Sequence, residues 1–93
     1  MLIVITRYFP FTPEHEAMLA ALTPQDAVLL QADGCYCASM FSGSKTSKDM
    51  QKPIIYIQYE DAQARGIATD YVTFVAQNEV AEKLTQHGNW VIW

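Results

Sequence analysis

Ala27-Val28-Leu29-Leu30-Gln31-Ala32-Asp33-Gly34 is the stretch on which the fold turns. An unbroken apolar run reads as a strand covered on both faces, because a strand with one wet face alternates apolar with polar residues. Such strands lie inside parallel sheets, where crossover helices cover both sides. Gly34 then permits the sharp turn that a strand-to-helix junction needs. The same signature stands at Leu2-Ile3-Val4-Ile5-Thr6, and again at Ile54 to Gln58, which Pro53 opens. Tyr71 to Val75 reads as a fourth strand, and Trp90 to Trp93 as a fifth, terminal strand or a docking tail.

Between these runs the chain carries helix signals. Thr12, Pro13, Glu14 and Glu16 supply an N-cap, a proline at the first helical position and acidic side chains at the positive end of the helix dipole. This helix is expected to reach about Leu22, with Met18 and Leu22 on one face, before Thr23-Pro24-Gln25-Asp26 stops it. Cys35 to Phe41 is small and apolar enough for a short helix. Ser42 to Lys52 mixes small polar residues with Lys45, Lys48 and Lys52 and has no apolar period, so an exposed, mobile loop is expected. Glu60 to Arg65 forms a short helical stretch closed by Gly66, and Asn78 is expected to cap a helix that shows Val80 and Leu84 on one face and ends at Gly88. Strand and helix alternate without a hairpin signal. The fold class expected is α/β: a single-domain three-layer α/β/α sandwich around a largely parallel sheet of four or five strands.

The chain has 93 residues, 51% of them hydrophobic and 17% charged. That length suits one domain over residues 1–93, burying roughly 60 to 65% of its unfolded surface, and the apolar content excludes disorder as the main state. No apolar run approaches the roughly 18 to 20 residues that span a bilayer, and Met1 to Arg7 has no charged leader, so neither a membrane span nor a cleaved signal peptide is expected. Ten acidic against six basic residues give a net charge of -4, without the basic footprint of an independent nucleic-acid binder. Any RNA contact is expected to be indirect, through a partner. Cys35 and Cys37 flank one tyrosine, too close for good disulfide geometry, which points to a reduced, cytoplasmic protein.

Cys35 is the one thiol candidate for chemistry. It would follow the carboxyl end of a strand and begin a helix, where main-chain N–H groups favour a thiolate. The simpler reading makes Cys35 and Cys37 small apolar core residues at a tight contact. No metal site is expected, since His15 and His87 lie in other segments and match no paired-ligand spacing with the cysteines. His15 and His87 read as surface histidines, the latter suited to a helix C-terminus when charged. Glu60 and Asp61 are neighbours that do not face one substrate, and helix capping is their expected role. The loop lysines could meet phosphate, a composite site with a partner included, although a charged loop is usually just solvated, and the scattered glycines form no nucleotide-binding fingerprint, so no cofactor is expected. Trp90 and Trp93 are costly to leave in water and must pack on their own domain or on another subunit. With 12% aromatic residues, a homo-oligomer in isolation is one outcome.

Read together, the aliphatic start with Arg7, Leu29-Leu30-Gln31 leading to Asp33-Gly34, Glu60-Asp61 with Ala64-Arg65-Gly66-Ile67, and the final Trp93 resemble the TusB/DsrH family of small sulfur-relay proteins. The resemblance spans essentially the whole chain. It implies a DsrE-like sandwich and a cytoplasmic subunit in a heterooligomer with TusC-like and TusD-like relatives. Such assemblies pass persulfide sulfur towards 2-thiouridine formation at the tRNA wobble position, and DsrH-type relatives act instead in sulfur oxidation. The relay sulfur is expected on the TusD-like subunit. Some DsrH-type members carry a cysteine in the first helix where this chain has Met18, which cannot hold a persulfide. Cys35 and Cys37 stand where relatives have small or apolar residues. Gln77 and Asn78 depart from the tyrosine and the threonine or serine that many relatives show at the last helix.

The expected function is therefore a noncatalytic structural subunit of a sulfurtransferase complex in tRNA 2-thiolation, with Trp90, Trp93 and Arg65 as interface candidates and no catalytic residue of its own. Two alternatives stay open: a sulfur carrier using Cys35 or a sulfur-oxidation subunit, and a standalone homo-oligomeric module that binds a ligand or protein at the carboxyl ends of its strands.

Overall fold

The computed structural model describes residues 1–45, 53–67 and 72–93. Five strands, β1 (Leu2–Ile5), β2 (Ala27–Leu30), β3 (Ile54–Gln58), β4 (Thr73–Val75) and β5 (Trp90–Ile92), form one sheet in the order β4-β3-β2-β1-β5. Every pairing is parallel, with Leu2 beside Ala27 and Trp90, Ala27 beside Ile54, and Tyr56 beside Thr73. The sheet is thus wholly parallel, and the terminal run is its fifth strand. β1 and β2 are buried along their whole length, as their unbroken apolar sequence requires.

Three helices and a 3-10 segment connect the strands: α1 (Pro13–Ala20), the 3-10 segment (Ala32–Lys45), α2 (Tyr59–Ala64) and α3 (Gln77–His87). β1 to β4 step across the sheet in one direction, so right-handed crossovers put α1, the 3-10 segment and α2 on one face. The return from β4 to β5 puts α3 on the other. Side-chain alternation agrees: Ile3, Ile5, Val28, Leu30, Ile55 and Ile57 pack with Cys35, Cys37, Ala38 and Ala62 on the first face. Leu2, Val4, Ala27 and Leu29 meet Val80 and Leu84 of α3 on the second. This is the three-layer α/β/α arrangement.

Several boundaries move, each for a local reason. α1 starts as expected, with Thr12 Oγ1 accepting the His15 N–H at 3.2 Å, but stops at Ala20 rather than Leu22. Leu22 folds down into the core, and Asp26 closes the following turn by accepting the Thr23 N–H at 2.8 Å. The helix expected over Cys35 to Phe41 is a 3-10 segment that begins three residues earlier, at Ala32, and takes in residues 42–45 of the expected loop. The rest of that loop, 46–52, and Tyr71 of the expected fourth strand lie outside the described residues. Asn78 does not cap α3. The N-cap is Ala76, whose N–H donates to Glu79 Oε1 at 2.9 Å, while the Gln77 N–H donates to Glu60 Oε1 at 3.0 Å. Two carboxylates satisfy that helix start, so a capping side chain at 78 is not needed. Gly88 ends α3 with φ 65°, the left-handed conformation that glycine adopts freely.

Candidate functional site

In a parallel sheet all strands end on one edge, and here the ends of β1, β2 and β3 bring the marked residues together. Gln31 N–H donates to Ile5 O at 2.9 Å, and Gly34 N–H to Gln31 O at 2.8 Å, which folds the chain tightly over the end of β1. A Cβ on residue 34 would stand 1.9 Å from Ile5 O, so only glycine fits. Ala32 sits at φ +50°, a strained conformation for an L-residue with a side chain. Its N–H donates to Asp61 Oδ2 at 2.7 Å.

The Asp33-Gly34 block and the Glu60-Asp61 to Arg65 block, distant in sequence, are joined at this edge. Arg65 Nε and Nη2 donate to Asp33 Oδ1 at 3.1 and 3.0 Å, and Arg65 Nη1 donates to Asp61 O at 3.0 Å. The aspartate and hydrogen bonding raise the Arg65 pKa further above its ordinary value. Beside them Gln31 Nε2 donates to Gln58 Oε1 at 3.1 Å, and Gln58 is buried. Glu60 and Asp61 therefore cap and tether, as acidic residues at a helix start can, but they act on other segments than their own helix: Glu60 on α3, Asp61 on the start of the 3-10 segment. Tyr8 and Tyr36 lie exposed along the same edge, ring against ring at 6.3 Å, and Tyr59 meets Phe74 at 6.0 Å.

Cys35 is fully buried beneath this edge. Its Sγ lies 3.8 Å from Leu30 O, and burial, reinforced by the Asp61 carboxylate, pushes its pKa up to about 11. The 3-10 segment starts at Ala32, so Cys35 lies beyond its first turn with the sulfur turned into the sheet. Cys37 is buried as well, its Sγ 3.8 Å from Arg7 O, and burial raises its pKa too. Both thiols are protonated at neutral pH. Among the described residues no group of three or more histidine, cysteine or acidic side chains could hold a metal ion. Lys48 and Lys52, and the Lys45 side chain, lie outside what is described.

The tryptophans part company. Trp93 packs on its own domain against Phe11 at 5.8 Å, Phe9 at 6.4 Å and His15 at 4.5 Å, while Thr6 N–H and Oγ1 hold its main-chain oxygen at 3.0 and 2.9 Å. Trp90 is 44% exposed on the α3 face of the edge strand, next to Ile92 at 60%. His15, read as a surface residue, is the centre of that aromatic group. His87, read as a surface residue, is partly buried, and burial together with the Met1 ammonium lowers its pKa, which disfavours the charged form that the helix end would suit. Periodicity carried no signal for the Gln31–Gln58 pair or for the His15–Trp93 contact, because each joins residues from distant segments.

No described helix is long and apolar enough to cross a membrane. No curated protein is detectably similar in sequence to this chain. The fold is similar to the solution NMR structure of protein Tm0979 from Thermotoga maritima, with a TM-score of 0.57 at 17% identity, covering 92% of this chain and 93% of that one. The DsrH-like protein family profile matches residues 10–89, a span that holds both blocks meeting at the carboxyl edge, and the chain belongs to the DsrH-like family.

Proposed function

We propose that this chain is a noncatalytic, structural subunit of a cytoplasmic sulfur-relay complex. It would serve 2-thiouridine formation at the tRNA wobble position, in a heterooligomer with TusC-like and TusD-like subunits, and would shape the assembly around a partner's cysteine. Membership of the DsrH-like family supports a place in sulfur relay. The observation that carries the noncatalytic role is the burial of both thiols, with the Cys35 pKa raised to about 11. A persulfide is made by a thiolate that meets its donor in the open, and neither condition holds at Cys35 or Cys37.

Met18 strengthens this reading over the sulfur-oxidation one. It is partly buried against the core, in the first helix, at the place where some DsrH-type members carry a cysteine, and a thioether cannot hold a persulfide. Trp90 and Ile92 offer apolar surface for a neighbouring subunit. tRNA contact would be indirect, consistent with the net charge of -4.

The test is purification of the tagged chain from its native cytosol, followed by native mass spectrometry and a sulfur-transfer assay with the Cys35→Ser and Cys37→Ser variants. Two small DsrE-type proteins in fixed stoichiometry, with full transfer in both variants, is the expected result. Loss of transfer and of a persulfide in Cys35→Ser would make the chain a carrier. Recovery of the chain alone, or only with its own copies, would leave it a standalone module.

A further inference from the structure

A capping box ordinarily has glutamate or glutamine at the third helical position, reaching back to the N–H of the cap residue. In α1 that position is His15, and its Nδ1 accepts the Thr12 N–H at 3.1 Å while the His15 N–H donates to Thr12 Oγ1 at 3.2 Å. A main-chain N–H can only donate, so this contact requires an unprotonated Nδ1, with the hydrogen of the neutral ring on Nε2, and the same Nδ1 lies 3.2 Å from Thr12 Oγ1. The ring is held between Trp93 at 4.5 Å, Phe9 at 5.1 Å and Phe11 at 6.0 Å. One imidazole thus joins the start of α1 to the end of the edge strand β5.

We propose that His15 is a proton-sensitive cap of α1, which holds the helix start in its neutral form and releases it on protonation. A proton taken from water onto Nδ1 sets donor against donor at the Thr12 N–H, which loses its acceptor, and turns Nδ1–H towards Thr12 Oγ1, 3.2 Å away. The resulting cation also stands at the positive pole of α1. The charged groups around it are Arg7, whose guanidinium lies 4.9 Å from the Phe9 ring, and Glu14 and Glu16 on α1 itself. Phe41 of the 3-10 segment, which meets Phe11 at 6.5 Å, and the Trp93 ring add no titrating side chain. The ring's change of partner then reaches Trp93, whose main-chain oxygen is fixed to Thr6 at the end of β1.

The experiment is an NMR pH titration of the full-length, 15N-labelled chain, with long-range imidazole spectra and the variants His15→Gln and His87→Gln. Expected are an unprotonated Nδ1 on neutral His15, and Thr12 amide and Trp93 indole signals that move with the His15 midpoint. On the acid side the exchange of the Thr12 amide, corrected for its intrinsic rate, should quicken about fivefold. Glutamine keeps an acceptor at position 15 and does not titrate, so both signals should stand still in His15→Gln with α1 intact, and titrate unchanged in His87→Gln. A hydrogen on Nδ1 of the neutral ring, a Thr12 amide indifferent to the His15 titration, or a titrating Thr12 in His15→Gln would each overturn the proposal.

Discussion

Arg65 places two of its nitrogens on one oxygen of Asp33, at 3.1 and 3.0 Å, and so ties the C-cap of α2 to the first turn of the 3-10 segment. Asp33 is largely exposed, with 65% of its side chain accessible. Exposed pairs are weak and screened by salt. Arg65→Ala should therefore leave the fold intact and lower the urea midpoint only slightly at low ionic strength. In 1 M salt, where the screening length is about 3 Å, the difference from the parent should vanish. A large, salt-independent loss would show that Arg65 acts by packing.

Asp61 has a harder task, since it satisfies the N–H of a residue in a strained conformation. Asp61→Ala leaves that donor without its partner and should cost about 1–3 kcal/mol in urea unfolding. Ala32→Gly relaxes the backbone at φ +50° and should be neutral or stabilise by up to about 1 kcal/mol. An Ala32→Gly variant less stable than the parent would mean that the added freedom of the unfolded chain outweighs the relief.

Gly34→Ala sets a methyl group against main-chain atoms, 1.9 Å from Ile5 O and 2.5 Å from its carbon. Backbone cannot step aside as a flexible side chain can. The substitution should destabilise by at least about 3 kcal/mol, or prevent folding, as read by circular dichroism and urea titration.

The buried Cys35 thiol makes stability depend on alkaline pH. Its folded pKa, about 11, stands above the ordinary 9.0, so the folded state keeps the proton that the unfolded state gives up. The stabilisation is complete below pH 9 and fades as pH rises towards 11. Cys35→Ala should flatten that decline in urea titrations between pH 8 and about 11. In the native protein at pH 7 to 8, alkylation of either cysteine should wait on unfolding, and rapid labelling would sink this account.

Much of the fold is written in short stretches of chain. Ala27 to Leu30 and Leu2 to Ile5 could only be strands covered on both sides, and Thr12-Pro13 could only open a helix, because burial and capping act between near neighbours. The family resemblance likewise rested on blocks that are contiguous in sequence. Asn78 was misread for the complementary reason: a cap is needed only where no distant carboxylate already serves, and Glu60 comes from another helix.

The sequence by itself determined a parallel α/β sandwich and the start of α1 at Thr12-Pro13. Only the tertiary structure decided the strand order β4-β3-β2-β1-β5, the burial of Cys35, the meeting of Asp33 with Arg65 and of Ala32 with Asp61, and the place of His15 between Thr12 and Trp93. Local pattern states which face of an element is apolar. Which distant segment covers that face, and which polar group answers a stranded N–H, is settled only when the chain closes on itself.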